Sequence, residues 1–242
     1  MSMFKEIVQS VLGLFFPPEC PVCGDLLADN EHFLCTACRF RAPLTNYWRE
    51  ADNPMTRRMD GLLPVHRAAA FLWFIDGSSW QQLIHRFKYS GKWLYARRLG
   101  EWFGHELADS GLYGDVDVVV PVPLHWRKRI RRGYNQAEYI ADGIASSLGV
   151  KVDRRSVLRR VNNPSQTRNS AIERWENVDG IFGVRNPDAL RGKHILLVDD
   201  VFTTGATMVS CGSAIADALG ADNVRISIAT IAVTQRSMAI DR

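Results

Sequence analysis

The stretch that decides the fold is 194-HILLVDDVFTTGAT-207, which runs from His194 to Thr207. Its four consecutive apolar residues, Ile195 to Val198, predict a strand that is buried on both faces. Two carboxylates follow, and a Thr/Gly turn then opens a helix. In an open parallel sheet, ligands bind beyond the carboxyl ends of the strands. The stretch therefore predicts a ligand site in an α/β protein.

The residue types after this strand suit a ribose phosphate. Adjacent carboxylates accept hydrogen bonds from vicinal hydroxyls, and a turn of backbone N–H groups at a helix N-terminus favours an anion. A glycine lets the backbone approach the ligand closely. We expect the two acids, the candidate catalytic residues, to bind ribose and the turn to bind its 5-phosphate. The predicted site consists of Asp199, Asp200, Thr203, Thr204, Gly205, Ala206 and Thr207.

Three other interpretations fit this stretch less well. A P-loop NTPase also places an acid after an apolar strand, but the chain lacks G-x-x-x-x-G-K-[ST]. A dinucleotide-binding fold needs G-x-G-x-x-G after a strand, which the sequence also lacks. The acids could simply cap the helix, although one acid would be enough for that.

Apolar patterning along the rest of the chain predicts alternating strands and helices, and hence a parallel sheet with right-handed crossovers. We expect an α/β domain over 64–242, a linker over 46–63, and a polar lid segment over 162–177. Further strands are predicted at 65–75, 116–120, 157–158 and 224–233, with helices starting near 76–78, 95 and 137 and following the Thr/Gly turn.

Four cysteines near the N-terminus form two Cys-x-x-Cys pairs that are separated by eleven residues. Four thiolates at this spacing predict a structural zinc site of the ribbon or knuckle type, whereas a redox motif would explain only one pair. We expect residues 1–45 to form an N-terminal amphipathic helix and this zinc module. The predicted ligands are Cys20, Cys23, Cys35 and Cys38.

Charge and hydropathy indicate the class of protein and its cellular compartment. The 242 residues are 46% hydrophobic and carry a net charge of +4, which is typical of a globular protein. No stretch approaches the ~20 apolar residues of a membrane span. The short N-terminal apolar run is not followed by the small-residue cleavage site of an export signal, so we expect a reducing cytoplasm, where disulfides are rare. Arginines cluster in a predicted loop at 127–132 and again at 154–160. Such clusters suit phosphates or nucleic acid, or they are a solvated face.

Five stretches together resemble a known family. The segment 195–207 is similar to the phosphoribosyl pyrophosphate (PRPP) motif of type I phosphoribosyltransferases. The cysteine pairs, 87-FKYSG-91, the region from 121-PVPL-124 through 131-RRGYNQA-137, and the segment from Gln166 through 173-ERWEN-177 extend the likeness over nearly the whole chain. Together they resemble the ComF family, which is linked to natural transformation and to the use of external DNA.

The resemblance implies a role for each stretch. It implies a type I phosphoribosyltransferase fold, PRPP or ribose 5-phosphate as ligand, Mg²⁺ bound with PRPP, and a lid that excludes water. It also implies protein partners in a DNA-uptake machinery. The alternative is a non-catalytic protein that handles single-stranded DNA and senses a ribose phosphate or a DNA end in the same pocket. The pyrophosphate-binding residues it implies are Val122, Pro123, Arg127, Arg131 and Arg132.

Overall fold

The structure is a computed structural model, and it describes residues 18–161 and 180–238. The predicted N-terminal amphipathic helix and the predicted lid over 162–177 therefore lie outside the described residues. Within them, strands and helices alternate along most of the chain, as the apolar patterning predicts.

A five-stranded parallel sheet forms the centre of the protein, with strand order β1-β7-β6-β2-β3. Strand β6 contains the two acids and lies between β2 and β7 in the middle of the sheet. The strands are β1 (Arg67–Phe74), β2 (Val118–Pro121), β3 (Lys151–Val152), β6 (His194–Phe202) and β7 (Arg225–Thr234). A separate antiparallel pair consists of β4 (Val157–Arg159) and β5 (Phe182–Val184).

Helices cover the sheet, and their bounds follow from local capping. The Ser78 hydroxyl accepts a hydrogen bond from the Gln81 amide, as predicted for that helix start, and Asn135 caps a later helix in the same way. The helices are α1 (Thr36–Phe40), α2 (Pro54–Met59), α3 (Ser79–Tyr89), α4 (Trp93–Asp109), α5 (Trp126–Arg132), α6 (Gln136–Leu148), α7 (Ala206–Leu219) and α8 (Gln235–Met238).

The two faces of the sheet bury two separate apolar clusters. Along β6, Leu196 and Val198 pack into one cluster, and Ile195 and Leu197 pack into the other. This alternation follows from the two-residue period of a strand. Helices α3, α4 and α6 cover the first face, whereas α2 and α7 cover the second. The predicted α/β class, a parallel sheet flanked by helices, is confirmed.

Several elements differ from the sequence prediction. Strand β6 continues through Phe202, so both acids lie within the last residues of the strand rather than after it. The predicted arginine-rich loop at 127–132 is wrong, because Trp126–Arg132 is helix α5. The apolar spacing of this segment is too sparse to indicate a helix, and His125 and Gly133 cap its ends. The weak strand predicted at 157–158 forms, but in the small antiparallel sheet.

The segment 46–63 is folded against the sheet. It contains a one-turn 3-10 helix over Tyr47–Arg49 and the helix α2. Trp48, Met55 and Met59 are fully buried there. The Asn53 amide donates hydrogen bonds to three carbonyl oxygens, including that of Ala68 in β1 at 2.8 Å. The domain boundaries stay a prediction, but this segment has contacts that a free linker would lack.

Candidate functional site

The two acids at the end of β6 line a small polar cavity of about 150 Å³. It lies at the carboxyl end of β6 and β2, which is the position that the fold class favours for a ligand. Three basic and two acidic side chains contribute to its wall. The lining residues are Lys88, Val122, Pro123, Leu124, Arg132, Asn135, Gln136, Arg159, Asp199, Asp200 and Thr207.

Asp200 is buried and both of its carboxylate oxygens are engaged. Lys88 Nζ lies 3.0 Å from Oδ1, and Gln136 Nε2 donates a 2.7 Å hydrogen bond to Oδ2. Lys88 is near the end of α3, and Gln136 is the first residue of α6. Burying a carboxylate is costly unless it is paired and hydrogen-bonded, and these two contacts hold the Asp200 side chain in one orientation.

Asp199 has a different environment. Its Oδ1 accepts a 2.8 Å hydrogen bond from the Asp200 amide. Burial and the neighbouring Asp200 charge raise the pKa of Asp199 to about 7, although Lys88 and Arg159 act in the opposite direction. Arg159 belongs to the same charge cluster. Burial lowers the pKa of its guanidinium, and the Asp199 charge opposes this effect.

The Thr/Gly turn connects β6 to α7. Gly205 has a φ of 83°, a backbone conformation that glycine adopts far more readily than other residues. A Cβ at this position would lie 2.8 Å from the Phe202 ring, so the position also lacks space for a side chain. Thr203 and Thr207 are exposed, and Thr207 reaches the cavity. The turn thus places two exposed threonine residues at the start of a 14-residue helix, whose N-terminus favours an anion.

The predicted pyrophosphate-binding residues separate into two groups. Val122, Pro123 and Arg132 line the cavity, whereas Arg127 and Arg131 are exposed and do not belong to its lining. The Arg132 guanidinium donates to Gln136 Oε1 at 3.1 Å and lies 5.0 Å from the centre of the Tyr89 ring. Its Nε is buried and has no hydrogen-bond partner among the described residues, so a donor stays available at the cavity wall.

Sequence reasoning missed four polar residues of the cavity. Lys88 lies in the 87–91 stretch and Gln136 in the 131–137 stretch, both of which carried the family resemblance without an assigned role. Asn135 connects the end of β2 with the start of α6, because its Nδ2 donates to the Val122 carbonyl at 3.0 Å and its Oδ1 accepts from the amide of Ala137. Arg159 was grouped with a surface arginine cluster. Only the packing of α3, α6 and β4 around β6 brings these residues together.

The outer face of α5 carries charge and apolar groups away from the cavity. Trp126 and Ile130 are 58% and 74% exposed. The Arg127 guanidinium lies 5.2 Å from the centre of the Trp126 ring. Arg129 pairs with both carboxylate oxygens of Glu138, at 3.0 and 3.3 Å. Helix α5 therefore directs Arg132 toward the cavity and the other arginines toward solvent.

The four N-terminal cysteines converge. Their Sγ atoms all lie within 4.8 Å of one another, and those of Cys23 and Cys35 are 3.7 Å apart. Tetrahedral zinc with Zn–S bonds of about 2.3 Å separates its sulfur ligands by about 3.8 Å. The Cys35 Sγ also accepts a hydrogen bond from the Cys38 amide at 3.4 Å. The donor set and its spacing fit a metal ion such as zinc.

The cysteine cluster packs on the α/β domain. Arg86 of α3 donates to the Pro21 carbonyl at 3.0 Å. Cys20 and Cys35 belong to the same apolar cluster as Trp80 and Phe103. Burial acts to raise the pKa of Cys20, but hydrogen bonds from the backbone amides of Cys35, Cys23 and Val22 outweigh it, and the pKa falls to about 7. A thiolate is therefore favoured at this ligand position.

Within residues 18–161 and 180–238, every helix is too short or too polar to cross a membrane.

Comparison with known proteins identifies relatives over most of the chain. Competence protein ComFC of Bacillus subtilis is 30% identical over 192 residues, which cover 78% of this chain and 68% of the relative. DNA utilization protein YhgH of Escherichia coli K12 is 30% identical over 193 residues, covering 78% and 74%. Among solved structures, an adenine phosphoribosyltransferase aligns at 13% identity and a TM-score of 0.38, covering 62% of this chain and 75% of that one.

No family model matches the sequence. The identity to ComFC nevertheless extends over more than two thirds of both proteins, and the chain has the parallel sheet and the four-cysteine cluster that its sequence resemblance implies. The chain therefore belongs to the ComF family.

Proposed function

We propose that the cavity at the end of β6 binds PRPP or ribose 5-phosphate. The observation that carries this proposal is the convergence of the acid pair, Thr207 of the Thr/Gly turn and three basic side chains on one cavity. The acids suit the ribose hydroxyls, the turn suits the 5-phosphate, and Arg132 and Arg159 suit a pyrophosphate. The names of the relatives connect ComFC to competence and YhgH to DNA utilisation, and we propose that this chain acts in DNA uptake or use with protein partners of that machinery.

The residues support ligand binding more directly than a specific reaction. If PRPP is transferred or hydrolysed at C1, the protein would contribute position and charge: the acids would hold the ribose, and the half-buried Arg132 and Arg159 guanidinium groups would stabilise the leaving pyrophosphate. Mg²⁺, when present, would neutralise charge on that pyrophosphate. We propose zinc in the cysteine cluster with a structural role, because four thiolates complete a tetrahedral site. We also propose a cytoplasmic location, where unpaired thiolates persist.

A thermal shift assay with PRPP and Mg²⁺ tests the ligand assignment. A ligand at about 100 times its Kd stabilises by about 2.7 kcal/mol, which raises the Tm of a protein of this size by about 5–10 °C. The double substitution Asp199→Asn, Asp200→Asn should abolish this shift. Asp217→Asn, which removes an exposed acid from α7, is the matched control and should keep it. A double variant that is folded and still shows the full shift would show that the acids do not bind the ligand.

A second candidate function is single-stranded DNA binding on the outer face of α5. The observation that favours it is the separation of the arginines, because Arg127 and Arg131 face solvent beside the exposed Trp126 while Arg132 faces the cavity. Guanidinium groups contact phosphates and an exposed indole stacks on bases. The two functions therefore use different arginines of one helix.

This separation makes the second candidate testable. We expect weak, sequence-independent binding to an oligodeoxythymidine that falls steeply with salt, because phosphate contacts release counterions. Alanine at Arg127 and Arg131 should weaken DNA binding and leave the PRPP shift unchanged, whereas Arg132→Ala should do the reverse. DNA binding that is insensitive to Arg127 and Arg131 would place any DNA contact elsewhere.

A further inference from the structure

One basic side chain of the cavity already forms an ion pair with one of the two acids. Lys88 Nζ lies 3.0 Å from Asp200 Oδ1, and the two side chains are only 18% and 9% exposed. An exposed lysine–carboxylate pair contributes little, whereas breaking a pair that is largely removed from water leaves an uncompensated charge. The ammonium group thus stands where a cation bound by the acids would stand.

Two of the other three oxygens of the acid pair are also engaged. Gln136 occupies Asp200 Oδ2, and Asp199 Oδ1 accepts from the Asp200 amide. Mg²⁺ requires near-octahedral oxygen ligands at about 2.0–2.1 Å. Water can supply several of these ligands, but a free ion could bind an Asp200 oxygen directly only if it displaced Lys88 or Gln136. In the arrangement described, Asp200 therefore does not fit a directly bound divalent ion.

The charge of the cavity points the same way. Three cationic side chains, Lys88, Arg132 and Arg159, face two carboxyl groups in about 150 Å³. A divalent cation would add to the excess of positive charge among these side chains, whereas a phosphate or pyrophosphate would balance it. The charge of the cavity therefore favours a polyanion over a free metal ion.

We propose that Lys88 is the resident cation of the Asp199–Asp200 pair and that it excludes free divalent metal from the ligand-free protein. A metal then enters only with an anionic ligand, on the ligand's phosphates. This inference concerns the site of the proposed function, but it is a statement about the ligand-free protein and is tested without any sugar phosphate.

The experiment is a titration of the full chain with Mn²⁺, followed by electron paramagnetic resonance of the free ion. Wild-type protein should bind no Mn²⁺ at the acids. Lys88→Met keeps a straight side chain of similar length and removes the charge, and it should gain one Mn²⁺ site that is roughly tenfold tighter than any in the wild type, which corresponds to about 1.4 kcal/mol. The double variant Lys88→Met, Asp200→Asn should lose that site.

Lys92→Met is the matched control, because Lys92 is exposed just before α4 and its loss changes the net charge equally. Its Mn²⁺ binding should equal that of the wild type. The inference is overturned if wild-type protein binds Mn²⁺ as tightly as Lys88→Met, or if natively folded Lys88→Met gains no site. A failed PRPP shift together with the expected Mn²⁺ result would overturn the proposed ligand and leave the role of Lys88 standing.

Discussion

Gln136 Nε2 donates a 2.7 Å hydrogen bond to Asp200 Oδ2 between residues that are 64 positions apart in the chain. The same side chain accepts a 3.1 Å hydrogen bond from Arg132 through Oε1. Gln136 therefore connects an acid that we assign to ribose with a guanidinium that we assign to pyrophosphate. Its amide has a donor end and an acceptor end, and each faces the group that it can satisfy.

The first prediction follows from these two hydrogen bonds of Gln136. Gln136→Ala leaves a buried carboxylate with one partner fewer, and a hydrogen bond to a charged group is worth about 1.5–3 kcal/mol. We expect a loss of stability of that order, measured by urea unfolding, and a smaller PRPP-induced Tm shift. Gln82→Ala, on the exposed surface of α3, should change neither. Full ligand binding by Gln136→Ala would mean that Asp200 does not need to be oriented by it.

The second prediction concerns Gly205. Alanine there would have to adopt a φ of 83° and place its Cβ 2.8 Å from the Phe202 ring. Positive φ costs an alanine on the order of 1 kcal/mol, and the contact adds to this. We expect Gly205→Ala to lower stability by about 1–3 kcal/mol and to weaken PRPP binding. Gly114→Ala is a suitable control, because a Cβ there meets no atom within 4 Å and no positive φ is required.

The third prediction concerns pH and Asp199. Its pKa is raised to about 7 by burial and by the Asp200 charge, against about 3.9 in an unfolded chain. The folded state thus binds a proton more tightly than the unfolded state. The resulting stability is complete below about pH 4 and is lost as the pH rises to about 7.

Asn at position 199 cannot ionise and should remove this loss. The unfolding free energy of Asp199→Asn minus that of the wild type should therefore increase between about pH 4 and pH 7, by on the order of 1–3 kcal/mol. Asp217→Asn should show a constant difference over the same range. A constant difference for Asp199→Asn as well would mean that the carboxyl is charged throughout.

The fourth prediction concerns the opposite end of the sheet. The rings of His66 and His194 lie 5.1 Å apart, and Asp115 contacts both histidines as well as Arg67 and Arg225. Burial lowers the pKa of both His66 and His194. Because the folded state favours the neutral rings, their stabilising contribution is present above about pH 6.5 and is lost as the pH falls below it.

We expect the urea midpoint of the wild type to fall between about pH 7 and pH 5, and to fall less in His66→Gln, which has one such ring fewer. His105→Gln, on the exposed side of α4, should follow the wild type. Equal acid sensitivity in wild type and His66→Gln would assign the loss to other groups.

The fifth prediction concerns the cysteine cluster. Protein purified without chelator should contain about one zinc per chain. Cys38→Ser should lower that content and make residues 18–41 more sensitive to protease, because the binding energy of such a site is folding energy. Cys211→Ser replaces a buried cysteine of α7 and should leave the zinc content unchanged. Zinc-free wild-type protein would refute the assignment.

The described helices and strands were predictable to different degrees. The strand that contains Ile195 and the helix that follows Gly205 have long apolar patterns and strong turn residues, so their positions follow from local chemistry. Helix α5 was missed because its charged residues have no apolar period, and its ends depend on His125 and Gly133. The two-residue strand β3 exists only because it pairs with β2, which no local pattern indicates.

The sequence by itself determined the groups of functional residues that lie close together along the chain. These are the acid pair and Thr/Gly turn at 199–207 and the two cysteine pairs, since neighbours along the chain must also be neighbours in space. Only the tertiary structure decided that Lys88 and Gln136 engage Asp200, that Arg159 approaches Asp199, and that α5 divides its arginines between cavity and solvent. The physical reason is that these contacts depend on how separate elements pack around β6. They depend also on burial, because a charge that is removed from water is costly unless it is paired.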